Sequence, residues 1–84
     1  MKREAVELLR KHGYKAFQIM EINHLLKKDK YVAIYHRYGE HSYESFKKYE
    51  NARNMLYYGS EGNELFSIAL LSKNRIEWKT NYCD

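Results

Sequence analysis

The chain has 84 residues, 44% hydrophobic and 31% charged, with a net charge of +4. This is the composition of a single globular domain over residues 1–84, in which about 60–65% of the unfolded surface is buried, enough for one compact core but too little to enclose a roomy enzyme cleft easily. The positive balance excludes a nucleic-acid mimic, and no apolar run approaches the roughly 18 residues that span a membrane.

Arg3 to His12 is predicted as a helix, because Val6 and Leu9 recur at i, i+3 beside Ala5 and Leu8 while Glu7 and Arg10 point away. Gly13 follows where a helix ends in a left-handed residue, with Lys11 and His12 favourable to the helix dipole in the last turn. Tyr14 to Lys28 carries two helical stripes, one through Phe17, Met20 and His24 or Leu25 and one through Ile19, Ile22 and Leu26. Phe17 to Ile22 also reads as a strand, but the length of the segment favours a helix.

Tyr31 to Tyr38 is dense in tyrosine and β-branched residues and is predicted as a strand, with Val32, Ile34 and His36 on one face and Tyr31, Ala33 and Tyr35 on the other. Gly39 breaks it. Ser42 is read as the cap of a helix from Tyr43 to Tyr58 whose buried stripe is Phe46, Tyr49, Ala52 and Leu56, ended by Gly59. Glu44 precedes Lys47 and Lys48 at helical spacing. After a loop over 60–64, Leu65 to Leu71 is a nearly all-apolar strand suited to mid-sheet, Lys73-Asn74 a turn, and Arg75 to Thr80 an alternating strand with Ile76 and Trp78 inward.

The predicted order is therefore helix, helix, strand, helix, strand, strand: an α+β fold with a three-stranded sheet, one packed helix and an N-terminal helical region. The helix over 43–58 covers one sheet face, and the N-terminal region lies over Tyr35, Ala69 and Leu71 on the other. The expected core is Leu9, Val32, Ile34, Phe46, Tyr49, Ala52, Leu56, Phe66, Ile68, Leu70, Ile76 and Trp78.

Reactive chemistry finds little support. The one cysteine, Cys83, stands next to the last residue and cannot form an internal disulfide, which with the charged start Met-Lys-Arg-Glu fits a cytoplasmic protein. Nothing fixes Cys83 at the roughly 3 Å that nucleophilic catalysis needs. His36 and His41 are five apart with Glu40 between them, which does not match the i, i+4 zinc pattern or a cysteine-rich structural site. His12 and His24 have no nucleophile in a recognisable setting, Glu61 and Glu64 read as solubilising, and the scattered glycines form no phosphate loop. No enzyme, metal or cofactor is expected.

Binding is better supported. Nine tyrosines, most of them beside a cation, supply rings with an apolar face and a polar tip. Tyr43, Tyr57 and Tyr58 fall off the expected buried stripe, and Arg53 shares their surface, so these four are the candidate anchors for a protein or protein–nucleic-acid assembly. Self-association through the same patch is a further option. Small tyrosine- and lysine-rich chains are common among phages and mobile elements, which favours an inhibitor or adaptor over an enzyme.

The alternative is direct nucleic-acid binding. Residues 1–30 carry eight Lys/Arg against four Asp/Glu. Lys2, Arg3, Lys11, Lys15, Lys27 and Lys28 would meet phosphates if residues 3–12 and 15–28 formed a helix-turn-helix pair. Were one sheet face bare, Tyr31, Tyr35 and Arg37 would stack bases beside Arg75 and Lys79. The bland reading is that these lysines are solvated and the helices pack on the sheet.

Overall fold

In the computed structural model, which describes residues 1–61 and 65–81, the chain runs α1 (Arg3–Lys11), α2 (Ala16–Lys28), β1 (Tyr31–Arg37), β2 (Glu40–Phe46), α3 (Tyr49–Glu61), β3 (Leu65–Ser72) and β4 (Ile76–Lys79). The strands form one antiparallel sheet in the order β2-β1-β3-β4. The class is α+β as predicted, but the sheet has four strands rather than three. Among the described residues no helix is long and apolar enough to cross a membrane. Cys83 and Glu64, together with most of the expected 60–64 loop, lie outside the described residues.

Helix α1 ends as its sequence dictates. Gly13 takes φ +89°, its N–H donates to the Arg10 carbonyl and the Tyr14 N–H donates to the Leu9 carbonyl, so two otherwise orphaned carbonyls are satisfied. Helix α2 begins two residues on, with the Gln18 side chain accepting from the Lys15 N–H at 2.8 Å. Of its two sequence stripes, Ile19, Ile22 and Leu26 are buried, while Phe17 and Met20 face solvent.

The fourth strand corrects the predicted helix over 43–58. Glu40–Phe46 pairs residue by residue with β1, from Arg37↔Glu40 to Tyr31↔Phe46. Ser42 is therefore not a helix cap but the cross-strand partner of Tyr35, and α3 begins only at Tyr49. Tyr38 and Gly39 form the connecting turn with φ of 51° and 81°, the two positive values that a tight hairpin needs to match the strand twist. The physical reason for β2 is satisfaction of β1. Val32, Ala33 and Ile34 are fully buried, so their backbone groups need partners on both edges, and β3 supplies only one. Gly59 does not end α3, which continues through it to Glu61.

Instead of the one compact core expected from chain length, two cores lie on opposite faces of the sheet. On one, α1 and α2 pack Leu8, Leu9, Ile19, Ile22 and Leu26 against Val32, Ile34, Ile68 and Leu71. On the other, α3 packs Ala52 and Leu56 against Ala33, Tyr35, Leu65 and Leu70. Ala69 and Leu71 lie under the N-terminal helices as expected, but Tyr35 faces α3. A bulge explains why Ile68 and its neighbour Ala69 share a face: the register steps from Ile34↔Ala69 to Tyr35↔Ser67, leaving Ile68 as the extra residue. A second shift, from Leu70↔Trp78 to Leu71↔Ile76, makes Glu77 the extra residue of β4. Ile76 and Trp78 are therefore not both inward. Ile76 packs with the first core, and Trp78 turns to the α3 face at 45% exposure. Tyr49 and Phe66, also expected in the core, are exposed, and Phe46 is only half-buried.

Candidate functional site

Four strands spaced about 4.8 Å apart span roughly 14 Å between their outer axes, whereas one helix is about 10–12 Å across. Two helices cover the first face. The single helix α3 leans over β1 and β3 and leaves the β4 side of the second face open. The result is a groove of about 470 Å³ between α3 and β4. Leu56 and Leu70 form its floor, and Tyr49, Arg53, Tyr57 and Trp78 its walls and rim.

The floor is fixed by a hydroxyl network. The Ser67 Oγ donates to the Leu56 carbonyl at 2.7 Å, the Ser60 Oγ donates to the same carbonyl at 2.8 Å, and the two hydroxyls meet at 2.5 Å. These bonds tie the last turn of α3 to β3, and Ser60, Ser67 and Glu61 close that end of the groove. At the other end the Tyr49 ring packs edge-on against Tyr31, with centroids 5.7 Å apart. Tyr49, Arg53, Leu56, Tyr57 and Ser60 fall at i, i+4, i+7, i+8 and i+11, one side of a helix, so the groove runs along α3.

The sequence-derived anchors divide. Arg53 and Tyr57 line the groove. Tyr58 stands beside it, its ring edge-on to Tyr57 at 5.1 Å, and the two are 63% and 55% exposed respectively. Tyr43 is elsewhere: it lies in β2 on the opposite face, half-buried against the first core, where burial and a hydrogen bond to the Glu21 side chain raise its pKa above the usual 10.0. Tyr49 and Trp78 are groove residues that sequence reasoning placed in the core. Trp78, the one tryptophan, could have been found only by foreseeing the bulge at Glu77.

The residues named for nucleic-acid binding are scattered. Lys2, Lys11, Lys15, Lys27 and Lys28 are exposed, and Arg3 pairs with Glu7 at 3.1 Å. No face of β1 is bare, since Tyr35 is buried under α3 and Tyr31 is half-buried; Arg37 is exposed at the strand end. Helices α1 and α2 spend their apolar sides on the sheet. The fold does bring Lys27, Lys28, Lys30 and Lys73 around one shallow cavity, where Asp29 and Glu77 offset part of their charge.

A third cluster gathers at the turn between α1 and α2. His36 and His41 are cross-strand partners with ring centroids 4.5 Å apart, and the His12 ring lies 6.2 Å from His36. Glu40, next to His41 in a strand, falls on the opposite face. Tyr14 clamps the group, its hydroxyl lying 2.7 Å from the Ser42 carbonyl and 2.9 Å from the Tyr35 carbonyl. Burial lowers the pKa of His36, reinforced by His41 and His12; burial, Lys11 and His41 lower that of His12. Among the described residues no three His, Cys, Asp or Glu side chains are arranged to hold a metal ion.

No protein-family model matches the chain, and comparison with curated proteins and with solved structures gives no significant match.

Proposed function

We propose that this protein is a non-catalytic binding module, an inhibitor or adaptor, that engages a protein or protein–nucleic-acid assembly through the groove between α3 and β4. One observation carries the reading. Arg53, Tyr57 and Trp78, three residues of the types that dominate binding hot spots, surround a single apolar depression whose floor is already built and rigid. A ring set on a rigid floor loses little conformational freedom when a partner covers it, and its apolar face and polar tip serve together. Tyr58, packed on Tyr57, extends the surface beyond the groove.

The test is capture from native cell extract on the immobilised protein, at about 50 and 200 mM salt and with or without nuclease. A phosphate-dominated contact involving about six cations would weaken by roughly a thousandfold or more between those salt levels, while an aromatic contact would change little. The expected result is a captured species that survives nuclease and salt, is lost with Tyr57→Ala/Trp78→Ala, and is kept with Lys27→Glu/Lys28→Glu. Loss with the lysine pair and retention with the aromatic pair would instead identify the cluster of Lys27, Lys28, Lys30 and Lys73 as a nucleic-acid surface and overturn the proposal.

A further inference from the structure

We infer that the groove takes a short extended segment of the partner in the pattern acidic–x–apolar–x–basic, read along α3 in either direction. This deepens, and rests on, the reading of the α3–β4 groove as the binding surface.

The ends of the groove carry opposite charges. Arg53 lies toward one end, and Glu61, two helical turns later, lies at the other. Eight residues at 1.5 Å each set them about 12 Å apart along the helix. Neither has an internal partner among the described residues, whereas Arg3 is paired with Glu7 and Arg75 with Glu77. Between the two lies the apolar floor of Leu56 and Leu70 under Trp78. A ligand that matches this surface has a carboxylate at one end, an apolar group in the middle and a cation at the other end.

Backbone geometry fixes the spacing. In an extended peptide alternate side chains point the same way, and residues i and i+4 are about 13 Å apart, close to the separation of Arg53 and Glu61. Residue i+2 then points into the floor midway between them. A volume of about 470 Å³ is ample for a large aliphatic or aromatic side chain with its flanking backbone. Recognition runs through side chains rather than by adding a strand: β4 is only four residues long and bulged at Glu77, two features that discourage pairing at a sheet edge. A second copy of the chain is a poor source of the segment. The three stretches with this pattern in either direction, Arg3–Ala5–Glu7, Glu7–Leu9–Lys11 and Glu44–Phe46–Lys48, place Ala5 and Leu9 buried in α1 and Phe46 packed in the second core.

The experiment is selection of a displayed library of random nonapeptides on the full chain, followed by titration of the enriched peptides against the fluorescence of Trp78, which reports on the groove alone because it is the only tryptophan. The expected outcome is enrichment of the acidic–x–apolar–x–basic pattern and saturable change in Trp78 emission. Replacing the acidic and basic residues of such a peptide by Asn and Gln should weaken binding about tenfold. Arg53→Glu, an exposed change checked for folding by circular dichroism, should invert the preference so that a basic–x–apolar–x–basic peptide binds better than the original. Enrichment of peptides lacking the charges, a less than twofold effect of neutralising them, or unchanged preference in Arg53→Glu would overturn the inference. If Tyr57→Ala/Trp78→Ala still abolishes capture of the native partner in that case, the groove stands as the binding surface and only its charge pattern is wrong; if capture is also unaffected, both fall.

Discussion

Tyr14 is the hinge pin of the fold, and its hydroxyl is worth a measurable fraction of total stability. The side chain is 4% exposed, and its oxygen lies 2.7 Å from the Ser42 carbonyl and 2.9 Å from the Tyr35 carbonyl, joining the α1–α2 turn to both strands of the β1–β2 hairpin. A phenol has one proton, so the shorter contact takes the main bond and the longer one a weaker share. Tyr14→Phe keeps the ring and its packing on His41 and His36 but removes the donor. The lost bond costs about 1 kcal/mol and the carbonyl left without it about 1 kcal/mol more, giving roughly 2 kcal/mol in all. At this chain length that lowers Tm by roughly 8–16 °C, readable by circular dichroism and confirmed by urea titration. The same hydroxyl leaves a second mark at high pH. Burial pushes the Tyr14 phenol well above its usual 10.0, so the folded state holds the proton after the unfolded chain has lost it. Its contribution is whole below pH 10 and declines as the pH rises above that value. Tyr14→Phe should therefore lose stability less steeply in alkali than the parent, though not be flat, because Tyr35 and Tyr43 are also raised by burial. A loss below about 0.5 kcal/mol, or an unchanged alkaline slope, would refute the assignment of Tyr14 as the clamp.

Three further outcomes are expected. Gly13 and Gly39 both have positive φ, but a Cβ at Gly13 would meet the His41 Nε2 at 2.6 Å while one at Gly39 would meet nothing within 4 Å. Gly39→Ala should thus cost only the backbone penalty of about 1–2 kcal/mol and Gly13→Ala distinctly more, and equal urea midpoints would show that His41 moves aside freely. In acid, the lowered pKa values of His36 and His12 mean that the unfolded chain takes up protons first, so stability is whole above pH 6.5 and falls as the pH drops below it. Denaturant midpoints at pH 7.5 and 5 should differ in the parent and differ less in His36→Gln. On α2, Ile22→Ala should cost about 2–5 kcal/mol, whereas Phe17→Ala and Met20→Ala should stay within about 0.5 kcal/mol, since Ile22 is fully buried and the other two are 64% and 66% exposed.

Much of the fold was legible because its signals are local. Gly13 closing α1, the alternation of Val32 and Ile34 against Ala33 and Tyr35, and the nearly unbroken apolar run of β3 all follow from side chains within one element. Strand β2 was not legible for the same reason. Glu40-His41-Ser42-Tyr43-Glu44-Ser45-Phe46 is polar enough to pass as the first turns of an exposed helix, and Glu44 with Lys47 and Lys48 even supplies helical charge spacing. What makes it a strand is tertiary: the free edge of β1 needs its backbone hydrogen bonds, and a Tyr38-Gly39 turn brings the next residues there. Gly59 misled in the opposite direction. It reads as a terminator, yet it sits inside α3, where a Cβ would run into the Leu65 side chain; the glycine makes room for the first residue of β3.

The candidate site was half legible, and the missing half turns on one residue. Arg53 and Tyr57 can be read as outward from the α3 pattern alone, because helical periodicity survives a shifted helix start. Trp78 cannot. Strict alternation puts it on the same face as Ile76, in the core beneath the N-terminal helices, and every residue of β4 obeys that expectation until Glu77 is inserted opposite Leu71. The extra residue rotates Trp78 to the other face, beside Leu70, where a lone helix has left the sheet uncovered. Bulges cluster at sheet edges and next to functional sites because they re-aim a side chain at small cost to the ladder. Here the re-aimed side chain is the largest in the protein, and the face it leaves is filled while the face it joins is open. Deleting Glu77 would remove the bulge yet leave Trp78 directly after Ile76 and still opposite Leu70 on the groove face, so it is the extra residue between them, and not a change of partner, that breaks the expected alternation.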